Sequence, residues 1–282
     1  MTLAFIERFP TEQEVERIRL LLSTYQDGTG MLAADNGLTL PGWRDFERSV
    51  ALALQGQAAE SKAIFDVTFS NANHEMLSYG LSCKMRRELN RVNRDGRVTI
   101  EVSNTTVGEF WKHLAQSAIH QQNYRDNPAN VGNSLLELVN RWHQAESTLG
   151  GGKIDLARSY YLVLLWNTTG WYRLYQYPLN IVSPDKILSW TFPSRIEGDQ
   201  TVAGRRLIGF DDTGTLVEWY GESGGQLKYY PLAADAIWSS EPFRLEPLPH
   251  DKEHGILTKV AAYYPELWSA VNRNSSEQLN NT

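Results

Sequence analysis

Two short segments of alternating polarity, residues 63–69 and 79–85, bring a carboxylate and an ammonium group into register. Side chains alternate between the two faces of a strand, so Asp66, Ser82 and Lys84 are predicted to share one open face of a sheet. An aspartate and a lysine at a sheet edge can hold a divalent metal ion beside a polarised water. Such a pairing is typical of phosphodiester hydrolysis.

The opposite face of the same two segments is apolar and is predicted to pack in a core. The polar stretch between them, residues 70–75, favours a hairpin connection. The predicted core positions are Phe65, Val67, Phe69, Leu81, Cys83 and Met85.

Two later segments are predicted to extend this sheet. Residues 97–103 alternate in the same way, which directs Glu101 to the open face that carries Asp66 and Lys84. The continuous apolar run at residues 160–166 predicts a buried central strand. The predicted fold class is therefore α/β, with a mixed α+β sheet flanked by helices.

Helices are predicted on both sides of these strands. Capping-box spacing at Thr11 and Glu14 predicts a first helix over residues 11–25. A second helix begins near residue 41 with an apolar stripe that includes Trp43, and it carries Glu47. That glutamate is either a solvated residue between two arginines or an additional metal ligand. Further helices are predicted after Asn104, from Ser134, and over residues 256–271.

A basic segment follows Lys84 directly. Arginine and asparagine form bidentate hydrogen bonds with guanine and adenine edges, and arginine also neutralises phosphates. A charged segment of this kind is either a solvated face or a DNA-contacting surface. Its position beside the predicted metal site favours DNA contact. The predicted contacts are Arg86, Arg87, Asn90, Arg91, Asn93 and Arg94.

The predicted site offers the ligands that a hard cation requires. Mg²⁺ takes oxygen ligands, usually one or two carboxylates together with substrate phosphate and water. Asp66 supplies a carboxylate, and the backbone carbonyl of Cys83 lies at the strand edge as a further ligand. Lys84 would orient or activate the attacking water and help to neutralise the scissile phosphate.

Over residues 43–166 this arrangement resembles the PD-(D/E)xK nuclease superfamily, and type II restriction endonucleases in particular. The resemblance consists of Asp66 on one strand and Ser82-Cys83-Lys84 on the next, after a helix that bears a glutamate. It implies a Mg²⁺ cofactor, double-stranded DNA as substrate and a homodimer that cuts both strands. Asp66, Ser82 and Lys84 are then the core of the catalytic set.

Ser82 stands where the superfamily pattern has a second acidic residue, so a glutamate from elsewhere must take its place. Glu101 is favoured by strand parity, and Glu47 follows closely. Glu75 and Glu109 are less favoured. Glu101 and Glu47 are therefore predicted as both catalytic residues and metal ligands.

The resemblance also divides the chain. A single nuclease domain is expected over residues 1–282, with its catalytic core at 43–166. The β-rich segment 170–245 would take part in DNA recognition, and residues 273–282 would form a flexible tail. Two alternatives stay open. One is a repair or phage-defence nuclease with low sequence specificity. The other is a non-catalytic DNA-binding module in which Asp66 and Lys84 form an exposed ion pair worth on the order of 0–1 kcal/mol.

Composition agrees with an ordinary globular protein. The 282 residues are 41% hydrophobic with a net charge of −6, so any DNA-binding charge must be local. A single cysteine, Cys83, excludes internal disulfides. No segment has the length of a membrane span, and residues 1–10 lack the apolar core of a signal peptide. A cytoplasmic protein without membrane partners is expected.

Overall fold

The computed structural model describes residues 2–33, 39–58, 64–71, 74–104, 107–197, 200–221, 225–248 and 255–269. Within these ranges the protein is a mixed α+β fold in which helices flank a mixed sheet, as the sequence predicts. In this part of the chain, no helix is both long enough and apolar enough to cross a membrane. The expected tail, residues 273–282, lies outside the described residues.

The helices begin and end close to most of the predicted positions. The capping box of Thr11 and Glu14 is present at the first helix. The helices are α1 (Glu12–Ser23), α2 (Trp43–Leu54), α3 (Leu89–Asp95), α4 (Val107–Ala115), α5 (Pro128–Glu146) and α6 (Gly255–Tyr263).

Short strands dominate the second half of the chain. The strands are β1 (Leu32–Ala33), β2 (Thr39–Leu40), β3 (Gln57–Ala58), β4 (Val67–Asn71), β5 (His74–Arg86), β6 (Ile100–Asn104), β7 (Tyr160–Trp166), β8 (Trp171–Pro178), β9 (Ser189–Thr191), β10 (Ser194–Glu197), β11 (Gln200–Ala203), β12 (Arg206–Asp211), β13 (Gly214–Tyr220), β14 (Gln226–Tyr229), β15 (Trp238–Ser239) and β16 (Phe243–Arg244).

The central sheet has the strand order β15-β8-β7-β5-β4-β3, with β16 also paired to β8. β4 and β5 pair antiparallel, which confirms the predicted hairpin around residues 70–75. β5 and β7 are parallel, with Lys84 opposite Val163. β7 is buried along its middle, as its unbroken apolar sequence predicts. The sheet is therefore mixed, and β5 lies near its centre.

The prediction that residues 97–103 join this sheet is wrong. β6 pairs with β14 in a separate sheet of order β6-β14-β13-β12-β9. Val98 and Ile100 are fully buried, as predicted, but Arg97 and Thr99 between them are buried as well, and the strand itself begins only at Ile100. Alternation fixes only which side chains face a core, not which sheet the strand joins.

Two apolar layers cover the central sheet. On one face α1 and α2 pack through Ile18, Leu22 and Val50 against Leu81 and its neighbours. On the other face the second sheet and helices α4 and α5 form a larger core, which includes Trp219 and Tyr229. The central sheet is consequently buried on both faces, and its solvent-accessible parts lie at the ends of the strands.

The structure adds detail to the predicted elements. β8, β15 and β16 lie in the β-rich segment 170–245 and belong to the central sheet. α5 begins at Pro128 rather than at Ser134, because proline is well suited to the first helical turn. The basic segment contains the short helix α3, which ends at Gly96 in a left-handed conformation.

Candidate active site

Asp66 sits at the point where strand pairing stops. Its amide still bonds to the carbonyl oxygen of Leu81 at 3.0 Å, but β4 itself begins only at Val67. β5 continues for several residues past this point. The last part of β5 therefore has no β4 partner, and the Asp66 side chain is free to turn towards it.

One carboxylate oxygen of Asp66 accepts several hydrogen bonds from residues at that end of β5. Oδ2 accepts hydrogen bonds from the Cys83 amide at 2.7 Å and from Lys84 Nζ at 3.0 Å. The Ser82 hydroxyl donates to the same atom at 3.4 Å. The predicted association of Asp66, Ser82 and Lys84 is present, although Ser82 is buried instead of lying on an open face. Ser82 and the Cys83 amide thus hold the carboxylate in place.

Phe65 departs from the predicted pattern. Its ring stacks on His143 at 6.2 Å between centroids, on the α5 side of the sheet, whereas Val67 and Phe69 pack beside α2. Gly80 leaves the space for it, since a Cβ there would collide with the Phe65 ring. The reason is that Phe65 precedes the strand, so the two-residue alternation does not apply to it.

Glu47 approaches the same strand end from helix α2. The pKa of this carboxyl is raised to about 7, chiefly by burial and also by the nearby Asp66 charge, against the opposing charges of Lys84 and two arginines. Among the described residues, no hydrogen bond or ion pair holds the Glu47 carboxylate. An unbonded, partly buried carboxylate beside another carboxylate is a group poised to accept a cation.

These groups line one open cavity of about 410 Å³ at the edge of the central sheet. Trp43, assigned by its spacing to an apolar helical stripe, instead stands exposed at its wall, with the Arg44 guanidinium 4.9 Å from its ring centroid. The remaining lining residues are Glu47, Asp66, Cys83, Lys84, Met85, Arg86, Glu101 and Val102.

Glu101 reaches the cavity from the second sheet but is already paired. Arg86 Nη1 lies 2.8 Å from its Oε2, and the same guanidinium contacts Glu88 at 3.2 Å. Glu101 was favoured because strand parity would place it on the same sheet face as Asp66. This argument does not hold, because β6 belongs to the second sheet. Of the other candidates, Glu109 is exposed and accepts a 3.4 Å bond from Trp142 Nε1, and the side chain of Glu75 lies outside the described residues.

The basic segment is largely engaged within the protein. Arg91 bonds to Asp95 at 3.0 Å and to Thr99 at 3.1 Å, and its guanidinium lies 4.6 Å from the centroid of the Tyr230 ring. Asn90 accepts a 2.9 Å hydrogen bond from Asn167. Arg86, Asn90 and Arg91 therefore act first as structural contacts.

Four of the predicted DNA contacts are exposed, and three of them, unlike Asn90, are not tied to another part of the fold by a side-chain hydrogen bond among the described residues. Arg87 and Asn93 are exposed, and Arg87 lies 5.9 Å from the centroid of the Trp166 ring. Arg94 is 76% exposed, with Asp95 3.6 Å away. The surface available to a phosphate backbone is thus smaller than the sequence suggests.

The donor set fits a divalent cation in part. Asp66 and Glu47 both line the cavity, and among the described residues no hydrogen bond reaches Oδ1 of Asp66 or either Glu47 oxygen. The Cys83 amide points to Asp66, and the amide and carbonyl of one strand residue point to the same side, so its carbonyl faces this edge too. Within the described ranges, no group of three or more His, Cys, Asp and Glu side chains could hold a metal ion. Mg²⁺ characteristically needs only one or two carboxylates beside phosphate and water.

Two features of this site were not predicted from the sequence. Arg86 neutralises Glu101, and only the meeting of two sheets reveals that pairing. The sequence signal for the exposure of Trp43 is the arginine that follows it, because an apolar residue next to a charge at the start of a helix need not face the core. Comparison with known proteins finds no matching family, no matching curated protein and no matching solved structure.

Proposed function

We propose that this protein is a Mg²⁺-dependent nuclease that hydrolyses phosphodiester bonds of double-stranded DNA. The supporting observation is that Glu47 meets the Asp66–Lys84 pair in one open cavity. Glu47 comes from a helix, separate from both strands, so it can replace the acidic residue missing at Ser82. Its pKa of about 7 allows it to lose its proton, and so to become a ligand, near neutral pH.

Each side chain has a distinct task in this proposal. Asp66 and Glu47 would hold the cation, which supplies neutralisation of the charge that develops on the phosphate. Lys84, fixed by its 3.0 Å bond to Asp66, donates to the scissile phosphate and orients the attacking water. Ser82 and the Cys83 amide keep Asp66 in one rotamer. Glu101 stays paired with Arg86 and serves as the wall of the cavity.

The finer proposal is a type II restriction endonuclease that works as a homodimer, because cutting both strands requires two active sites. Its support is the resemblance of the Asp66 and Ser82-Cys83-Lys84 segments to that class. Arg87, Asn93 and Arg94 are exposed, as is Asn90, which is bonded to Asn167, and these three would approach the DNA backbone or base edges.

The decisive experiment is cleavage of unmethylated supercoiled plasmid in Mg²⁺, compared with the same mixture in EDTA. Wild-type protein should nick and linearise the plasmid, and Asp66→Asn and Lys84→Ala should each lower the rate by at least about 100-fold, the scale of loss when one stabilising group is removed from a transition state. Unchanged thermal unfolding would show that both variants fold. Equal cleavage by wild type and both variants would contradict the proposal.

The pattern of products distinguishes the kinds of nuclease. Discrete fragments from a DNA of known sequence support a restriction enzyme, whereas a smear supports a repair or phage-defence nuclease with low specificity. A second candidate function is a non-catalytic DNA-binding module. It is favoured by the direct Asp66–Lys84 ion pair, in which each charge already satisfies the other. DNA binding without Mg²⁺-dependent cleavage would support it.

A further inference from the structure

A second cavity, here called the aromatic groove, opens at the ends of β7 and β8 with a volume of about 830 Å³. Its wall is formed by Trp166, Trp171, Tyr172 and Phe243, and the Arg244 side chain lines it as well. None of these residues takes part in the candidate active site.

Three of the rings in this wall come from three adjacent strands and stack on one another. Trp166 and Tyr172 lie nearly parallel, with centroids 6.1 Å apart. Tyr172 and Phe243 continue the stack at 5.9 Å. Tyr172 is fully buried in the core, whereas Trp171 beside it is 38% exposed. The core thus anchors the stack, and Trp171 keeps part of its ring exposed beside the guanidinium of Arg244.

The turn that presents Trp171 is also held firmly. Asn167 Oδ1 accepts hydrogen bonds from the Thr169 amide at 3.1 Å and from the Trp171 amide at 3.0 Å. Asn167 Nδ2 donates to Asn90 of α3 at 2.9 Å. A ring presented by a rigid turn loses little conformational entropy when a ligand stacks on it.

Two arginines give the aromatic groove its charge. The Arg244 guanidinium lies 4.5 Å from the centroid of Trp171, and that of Arg87 lies 5.9 Å from Trp166. Both arginines are exposed, and neither has a carboxylate partner among the described residues. Two carboxylates that line the groove, Glu16 and Glu246, share the one cation Arg19, so that side of the groove is not positive. Positive charge is local to the Trp171 end, where Arg244 has no carboxylate partner among the described residues, and an anionic group is favoured only there.

The aromatic groove and the candidate active site lie at the same end of the central strands β5 and β7. β5 and β7 are parallel, and Arg86 is paired with Leu165, the residue before Trp166. The end of β5 thus lines the active-site cavity through Arg86, and the next residue, Arg87, lies over Trp166, a ring that lines the aromatic groove.

We propose that the aromatic groove binds an unpaired segment of a DNA strand, with a base stacked on Trp171 and phosphates bound by Arg244 and Arg87. Aromatic rings beside unpaired cations are the arrangement that binds single strands without sequence preference. Duplex DNA keeps its bases inside the helix and has no free ring to offer. Binding in the groove is independent of the proposed function. The inference that the bound strand leads to the active site rests on it.

The test is fluorescence anisotropy in EDTA, which prevents cleavage, with a labelled short duplex that carries a single-stranded tail. A blunt duplex of the same total length is the comparison. The wild-type protein should bind the tailed DNA more tightly than the blunt one. Trp171→Ala should weaken binding of the tailed DNA by at least about fivefold, since one base stacked on an aromatic side chain is lost. Trp171→Phe, which keeps a ring, should recover most of this affinity.

Charge is tested by the salt dependence of the same binding. Arg244→Ala should reduce the slope of log affinity against log salt by about 0.7, the value for one phosphate contact on a single strand. Arg158→Ala removes an exposed arginine far from the groove, and Tyr263→Ala removes an exposed ring on α6. Both control variants should bind like wild type.

Several results would overturn this inference. They are equal affinity for tailed and blunt DNA, equal loss in the control variants, or binding of a proline-rich peptide in place of DNA with the same loss in Trp171→Ala. Tight tailed-DNA binding that depends on Trp171, but with no cleavage in Mg²⁺, would support the aromatic groove and remove the nuclease proposal. The two proposals therefore fail separately.

Discussion

Glu47 is partly buried and Glu218 is buried, yet the surroundings of the two carboxylates are opposite. Glu218 accepts hydrogen bonds from the hydroxyls of Tyr220 at 2.8 Å and Tyr230 at 2.7 Å, and Arg206 lies 2.9 Å from its other oxygen. Glu47 has no such partner among the described residues, and Asp66 raises its pKa further. A buried charge is normally paired and hydrogen-bonded. Glu218 follows that rule and Glu47 departs from it, and the proposed cation site rests on this departure.

The largest expected effect is a difference in cleavage activity between variants of the two glutamates. Glu47→Gln should lower the rate of Mg²⁺-dependent plasmid cleavage by about 100-fold, because the amide carries no charge to hold the cation. Glu218→Gln should leave the rate per folded molecule within about threefold of wild type. The wild-type rate should also rise through about pH 7, as Glu47 loses its proton. If both variants cleave equally well, the contrast between the two carboxylates has no catalytic meaning.

The second effect separates them by stability. Glu218→Ala leaves two tyrosine hydroxyls and Arg206 without their acceptor, so the free energy of unfolding should fall by about 2–4 kcal/mol. Glu47→Ala removes a carboxylate that no donor satisfies and should cost less than about 1 kcal/mol. Urea unfolding at neutral pH measures both. A larger loss for Glu47→Ala would show that Glu47 has a structural partner.

The third effect is the pH dependence of stability. Because the folded state raises the pKa of Glu47 from 4.5 to about 7, folded protein binds more protons than unfolded protein between these values. The free energy of unfolding should therefore fall as the pH rises from about 4.5 to 7 through this group, and stay lower above pH 7. Glu47→Gln removes this loss and should be more stable than wild type at about pH 8, by about 1–3 kcal/mol after allowance for solvent in the open cavity. Urea unfolding across this pH range checks the sign, and Glu218→Gln is the control.

Adding the cation should reverse that difference. Mg²⁺ that binds only the folded state stabilises it by mass action, so it should raise the melting temperature of wild-type protein above pH 7 and have little effect on Glu47→Gln. Calcium serves as a second probe of the same oxygen ligands. Equal stabilisation of both proteins would indicate that the ions bind elsewhere.

The smallest effect is expected at Glu101. Its carboxylate is already paired with Arg86, so Glu101→Gln should lower plasmid cleavage by less than about tenfold, far less than Glu47→Gln. The measurement is the same plasmid assay in Mg²⁺. A loss as large as that of Glu47→Gln would restore Glu101 as a direct participant.

Local patterns predicted much of the fold because they depend on near neighbours in the chain. The capping box at Thr11, the helix that carries Glu47 and the apolar strand β7 all form where the sequence indicates. The association of Asp66 with Lys84 was also predictable, since a short hairpin joins the two strands. Phe65 was misplaced because it lies before the strand begins.

Long-range choices could not be read in the same way. The alternation of β6 is compatible with either sheet, and its pairing with β14, more than a hundred residues later, removes the parity argument for Glu101. The arginines of the basic segment were predicted from charge alone. Their engagement depends on distant partners, such as Tyr230 beneath Arg91 and Glu101 beside Arg86.

The sequence by itself determined that an aspartate, a serine and a lysine would meet on two paired strands, because a two-residue alternation and a short connection leave little freedom. The tertiary structure decided which glutamate joins them. α2 brings Glu47 to the cavity with no hydrogen-bond partner in the part of the chain that the structure describes, while the second sheet brings Glu101 already paired with Arg86. The pKa of a carboxyl depends on burial and neighbouring charge, which arise only when helix and sheet pack together.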